Sequence, residues 1–244
     1  MPIKNNMIYY LFILFFLLFI FTPLPSHSQE RSIFLREEFH NLDLWEPLYF
    51  PKIKEHSIYG IESHGDESYL RAESMASASA LIFKNEFNSY DFPIIRWRWK
   101  VRNIYQKGDA KTKEGDDYPI RIYIAFKYDP EKAGFFERVK YGLAKTFYGS
   151  YPPHSTLNYI WANKAHKERV ITSSYTEQSK MILLEQGGKH VGEWRTHEVD
   201  IIRDYQMAFG NQPPEKASIA IMNDSDNTGE QSVSYIDYIE IGKR

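Results

Sequence analysis

The sequence predicts an all-β protein, a β-sandwich of jelly-roll type with one short helical insertion. Runs that alternate apolar and polar residues recur along almost the whole chain and are separated by clusters of Gly, Pro, Asn, Asp and Ser. Only one stretch keeps a helical period over several turns. No internal repeat, low-complexity tract or linker divides the chain, so about eleven strands have to share one core, and strands so spaced make a sandwich or a barrel.

Residues 1–28 are set apart from that fold. Lys4 gives a weakly positive start, residues 7–21 form an unbroken apolar run, and Pro23, Pro25, Ser26 and Ser28 close it. This is the plan of a secretory signal peptide, because 15 apolar residues at ~1.5 Å each fall short of the ~30 Å that a spanning helix must cross. Cleavage near Ser28 leaves residues 29–244 as a single β-sandwich domain, periplasmic or secreted, with no stable membrane span. An uncleaved anchor is the alternative reading.

The first strand is expected at residues 33–39, followed by a turn to Trp45. Residues 57–61 and 68–72 flank a Ser63-His64-Gly65-Asp66 turn and read as a hairpin. A strand of small side chains covers residues 76–83. In residues 94–101, Ile95, Trp97, Trp99 and Val101 form one face and Arg96, Arg98 and Lys100 the other. A polar loop over residues 103–114 leads through Gly115-Asp116-Asp117 into a strand at residues 120–126, where Ile120, Ile122, Ile124 and Phe126 face one way and Arg121 and Tyr123 the other. Over residues 131–148 the period changes: Phe136, Val139, Leu143 and Phe147 recur at helical spacing, which predicts an amphipathic crossover helix. Strands resume at residues 156–162, 170–175, 180–184 and 194–202. One helical turn over residues 203–210 is stopped by Gly210 and the Pro213-Pro214 pair. Strands at residues 218–222 and 232–241 close the chain.

With 244 residues, no Cys and a net charge of −2, the chain can fold without disulfide staples, and thiol chemistry and Cys-ligated metals are excluded. Interspersed charges give no electrostatic case for nucleic acid as the partner. The sequence has no G-x-S-x-G elbow, Walker loop, G-x-G-x-x-G or H-E-x-x-H, and its 8 His residues show no ligand spacing.

Three groups of residues carry chemical interest. Asp116 and Asp117 open one strand and Asp224-Ser225-Asp226-Asn227-Thr228-Gly229 follows another. If the two strands run antiparallel, both acidic clusters share one rim. Close carboxylates repel, so they bind a cation or one of them takes up a proton. The second cluster overlaps the start of an EF-hand loop but has Tyr235 where the bidentate Glu belongs. Asp224, Asp226 and Thr228 are therefore candidate ligands for Ca²⁺, and plain turn residues are the alternative. The third group is the basic face of Arg96, Arg98 and Lys100, joined by Arg121 and Tyr123 if both strands lie in one sheet. No acidic residue alternates with them on those strands, so the face reads as an unpaired positive patch for uronate or sulfate groups, or as a solvated surface.

In order along the chain, W-R-W-K-V at Trp97, G-D-D-Y-P-I-R-I-Y at Gly115, Y-I-W-A-N at Tyr159, R-D-Y and F-G between Arg203 and Gly210, and D-S-D-N-T-G at Asp224 resemble the bacterial domain-of-unknown-function 3047 family. The resemblance implies an exported single-domain protein and no particular activity. The residues point to binding of a glycan or other small polar ligand, acidic glycans first, through Arg96, Arg98, Lys100, Arg121, Tyr123, Asp116 and Asp117. The alternatives are a glycan hydrolase or lyase using the rim carboxylates, and a structural envelope protein.

Overall fold

Strand β7 (Ile94–Val101) shows how the sequence is turned into layers: Ile95, Trp97, Trp99 and Val101 are fully buried, while Arg96, Arg98 and Lys100 between them are only partly covered. The computed structural model describes residues 32–65, 67–135, 138, 141–142 and 151–244, and Ser32–Arg244 form one compact unit. The expected leader lies outside the described residues. So does most of the expected helix over residues 131–148, of which the Arg138 N–H donates to the Gly134 carbonyl at 2.9 Å.

Two sheets stack face to face in a β-sandwich of jelly-roll type. The first has the order β12 (Arg195–Asp200), β7, β14 (Gln231–Gly242), β4 (Glu67–Met75), β3 (Ile58–His64), with β1 (Ile33–Glu37) also paired to β14. The second runs β10 (Val170–Thr172), β11 (Ser179–Gln186), β9 (Ser155–Ala162), β8 (Arg121–Phe126), β13 (Lys216–Asp224), β5 (Ala78–Phe83), β2 (Trp45–Leu48), with the short β6 (Phe87–Asn88) against β13. Among the described residues, every pairing is antiparallel except that of β9 with β11. A register shift between Ile236 and Tyr238 lets Ile236 and Ile239 both face the core and leaves Asp237 on the outside.

The inner faces meet in one apolar core, in which aromatic rings span the sheets: Trp97 lies 5.5 Å from Tyr159 and Trp99 6.2 Å from Trp161, between ring centres. Such pairs contribute about 0.5–1.5 kcal/mol each beyond the area they bury. The strand expected over residues 194–202 stops early, because the Asp200 carboxylate accepts the N–H groups of Ile202 and Arg203 and caps helix α1 (Ile201–Phe209). Ile201, Ile202 and Tyr205 bury one side of that helix, and Gly210 ends it at φ 76°.

At the β12 edge, His197 is packed between Trp97 and Trp99, with Nε2 3.4 Å from Glu185 Oε1. Burial lowers its pKa from 6.5, Glu185 opposing and Arg195 adding to the fall. The unfolded chain therefore takes up the proton first, and the stability that the neutral imidazole contributes is present above pH 6.5 and lost as pH falls through the folded pKa. Urea unfolding at pH 7 and pH 5.5 should show a drop in stability that is smaller in His197→Gln; an equal drop in both proteins would contradict this account.

Candidate functional site

Strands β8 and β13 are antiparallel neighbours with Arg121 opposite Met222, so the loop entering β8 and the loop leaving β13 meet at one rim. The two acidic clusters come together there, as expected. The Asp117 carboxylate accepts the Thr228 N–H at 2.6 Å and, through Oδ1, the Asn227 N–H and side-chain amide at 3.3 and 3.2 Å. Asp224 accepts the Tyr118 N–H at 3.3 Å through Oδ1, and Arg121 Nη2 donates to its Oδ2. Arg121 Nη1 also lies 3.8 Å from Asp116 Oδ1, and the guanidinium sits over the Tyr118 and Tyr123 rings at 4.9 and 5.4 Å.

This rim is closed rather than open: Arg121 is 4% exposed, Asp224 1% and Asp117 0%. Burial pushes the Asp224 pKa well above its ordinary value against the pull of Arg121, with Asp117, Asp116 and Asp226 adding to the rise. Asp116 and Asp226 are raised as well, again chiefly by burial. Three buried polar atoms here make no hydrogen bond: Asp116 Oδ1, Arg121 Nε and the Oδ1 of Asn158, which stands opposite Tyr123 in the register. Thr228 turns inward to its own loop, its hydroxyl accepting the Glu230 N–H at 3.3 Å.

Residues that the sequence reading passed over hold this loop in place. Asn163 Oδ1 accepts the Tyr105 N–H at 2.8 Å, and its Nδ2 donates to the Asp117 carbonyl at 2.7 Å. The loop has to close tightly on that amide, since a Cβ on Gly108 would lie 2.1 Å from Asn163 Nδ2. Glu230 accepts the N–H groups of Gln106 and Lys107, tying the same loop to the start of β14. The only local hint was Asn163 closing the Y-I-W-A-N motif.

The joint cationic face does not form. β7 lies in the first sheet and β8 in the second, so Arg121 and Tyr123 are apart from Arg96, Arg98 and Lys100. Nor is the β7 face unpaired: strands β12 and β14 flank it and bring Glu198 and Glu240 to Arg96, at 2.6 and 2.7 Å, and Asp237 to Arg98, at 3.0 Å. Lys100 instead lies 4.6 Å from the Trp194 ring centre and 4.8 Å from that of Tyr235. Register explains this placement: Arg195 is opposite Trp99, Tyr235 is opposite both Lys100 and Arg71, and Trp194 extends the row at the β12 end. Tyr69 closes the group, 5.7 Å from both Trp194 and Tyr235. Gly60, opposite Arg71, ends the row with no side chain. These three aromatics come from three separate strand regions, so no single stretch of sequence signals the cluster.

The fold and these two surfaces define a two-sheet, mainly antiparallel β-sandwich with an aromatic and cationic row on one sheet, partly exposed except for the buried Tyr235, and a buried arginine and carboxylate rim on the other. The chain belongs to the family described as "Protein of unknown function (DUF3047)", whose pattern matches residues 43–240. No match is found among curated proteins. Among solved structures, the chain is similar to the family 11 carbohydrate-binding module of the cellulosomal cellulase Lic26A-Cel5E of Clostridium thermocellum, with 11% identity, a TM-score of 0.43 and coverage of 88% of this chain and 95% of that one. It is similar at the same level to the family 30 carbohydrate-binding module of Cel9D-Cel44B of Clostridium thermocellum, with 10% identity, a TM-score of 0.42 and coverage of 86% and 98%. The Lotus tetragonolobus seed lectin has 12% identity, a TM-score of 0.41 and coverage of 86% and 99%.

Because Arg121 faces two buried carboxylates, Arg121→Ala should lower stability by about 3–5 kcal/mol, the cost of leaving a buried charge without its partner. Arg98→Ala, which breaks a largely solvated pair, should lower it by about 0–1 kcal/mol. Urea unfolding of the two variants measures both, and equal losses would contradict the buried-pair account.

Proposed function

We propose that the protein binds glycans, without turning them over, on the outer face of the first sheet. The observation that supports this reading is the row of Trp194, Lys100, Tyr235 and Arg71, with Tyr69 beside it. A sugar ring has apolar C–H faces that stack on aromatic rings and hydroxyls that need polar partners at the edge. Trp194 and Tyr69, both partly exposed, offer the first, with the buried Tyr235 ring beneath them; Arg98, Asp237 and Arg71 offer the second. A strand-supported row of this kind is held in place before any ligand arrives, so little ordering entropy opposes binding.

The preference for acidic glycans now rests on fewer charges. Arg96 and Arg98 are paired with carboxylates, whereas Lys100 makes no ion pair among the described residues and is left to meet a uronate or sulfate group. The leader-like residues 1–28 support placing this activity outside the cytoplasm, in the periplasm or beyond. A hydrolase or lyase working through Asp116, Asp117 and Asp226 with Arg121 is less well supported, because Asp117 and Arg121 are buried and already hold other residues.

Binding to immobilised anionic and neutral oligosaccharides tests the proposal. Trp194→Ala should weaken binding to both by about tenfold or more, near 1.4 kcal/mol. Lys100→Ala should weaken the anionic set selectively and flatten its dependence on salt. A Trp194→Ala protein that binds as the parent does would show that this face is not the site, and failure of every glycan to bind would leave the structural reading of the sandwich.

A further inference from the structure

The rim of the second sheet carries more negative charge than the protein resolves by itself. Asp117, Asp224 and Asp226 each place a carboxylate oxygen within 4.8 Å of the others. Asp116 adds a fourth carboxylate in the same electrostatic group. Among the described residues, Arg121 is the one cation that pairs with any of them, through Asp224 and Asp116. Lys107, close by, donates its Nζ proton to the Thr228 carbonyl at 3.0 Å rather than to a carboxylate.

Independently of that charge, Asp116 is 7% exposed and its Oδ1 accepts no hydrogen bond. Its nearest cation, Arg121 Nη1, stays 3.8 Å away, too far for a hydrogen bond, so a buried carboxylate oxygen in a group of carboxylates is left unsatisfied. Hydrogen bonds to Asp117 and Asp224 do not use up those groups, since an ionised carboxylate has about four acceptor positions.

We infer that this rim is a calcium site, with Asp117, Asp224 and Asp226 as ligands and Asp116 completing its negative field. The donor set is carboxylate oxygen, the choice of a hard cation, and Ca²⁺ accepts six to eight oxygens in irregular geometry where Mg²⁺ demands a near-octahedral shell. The arrangement also accounts for the incomplete EF-hand pattern. An EF-hand loop takes its last carboxylate from its own twelfth residue, occupied in this chain by Tyr235, which lies within β14. Here Asp117 arrives instead from the loop entering β8, so the site joins two loops distant in sequence and forms only when β8 and β13 are paired. Arg121 remains the partner of Asp224 and Asp116. The inference is independent of the glycan reading, which concerns the other sheet.

The test is calorimetric titration of the full chain, freed of metal by chelator, with CaCl₂ and with MgCl₂, together with thermal unfolding under the same conditions. One Ca²⁺ should bind per chain, and a hundredfold excess over Kd should raise the melting temperature by about 5–10 °C. Asp226 is half-buried and holds no other residue among those described, so Asp226→Asn should fold as the parent does and bind Ca²⁺ at least tenfold more weakly. Asp91→Asn, an exposed residue after β6 at the opposite end of β13, should bind normally. Absence of binding and of any thermal shift in millimolar Ca²⁺ would overturn the site, as would unchanged binding by Asp226→Asn; a response to Mg²⁺ alone would overturn the choice of calcium.

Discussion

The antiparallel pairing of β8 with β13 is the constraint on which the second sheet and its rim depend. It sets Ile122 against Ile221 and Ile124 against Ile219 in the core, and the same register carries Arg121 to Asp224 at the strand ends. Taking a guanidinium and a carboxylate out of water is costly, and Coulomb attraction offsets that cost only with close geometry and further hydrogen bonds. The structure supplies them: Tyr118 N–H on Asp224, Asn227 and Thr228 N–H on Asp117, and Asn163 behind the Asp117 carbonyl. A slip of one residue in this register would turn the apolar residues of β8 outward and strand the ion pair in the core.

The two sheets treat their charges in opposite ways. On the first, Arg96 and Arg98 pair with carboxylates from neighbouring strands and Arg71 with Glu73 of its own strand, at the edge of water, where such pairs contribute little to stability. On the second, the charges are enclosed, where each unmatched one matters several-fold more because the local dielectric is low. The charges of the first surface can therefore rearrange at little cost, and those of the second cannot.

Much of the layering was legible because the period of two along β7 and β8 identifies the buried face without reference to any partner strand. The expected bounds of residues 94–101 coincide with β7, and the shared acidic rim followed from one assumption about strand direction. What escaped was information held between strands. β2 contains Pro47 and β6 has 2 residues, too little for a period to show. Helix α1 begins at Ile201-Ile202, a β-branched pair that reads as strand until the Asp200 cap is recognised. The partners of Arg96 and Arg98 lie more than a hundred residues away in the chain. No inspection of β7 alone could find them.

Strand β14 has a further consequence, for the order in which the molecule can assemble. Its 12 residues bind β7 along one side and β4 and then β1 along the other, so they form the spine of the first sheet. Yet it follows all of those partners in the chain. During synthesis β1, β4 and β7 must wait, with the backbone edges that β14 will pair left open, until the ribosome has made β14. The first sheet then closes in one late, long-range event, a slow topology that leaves the growing chain open to chaperones for most of its synthesis.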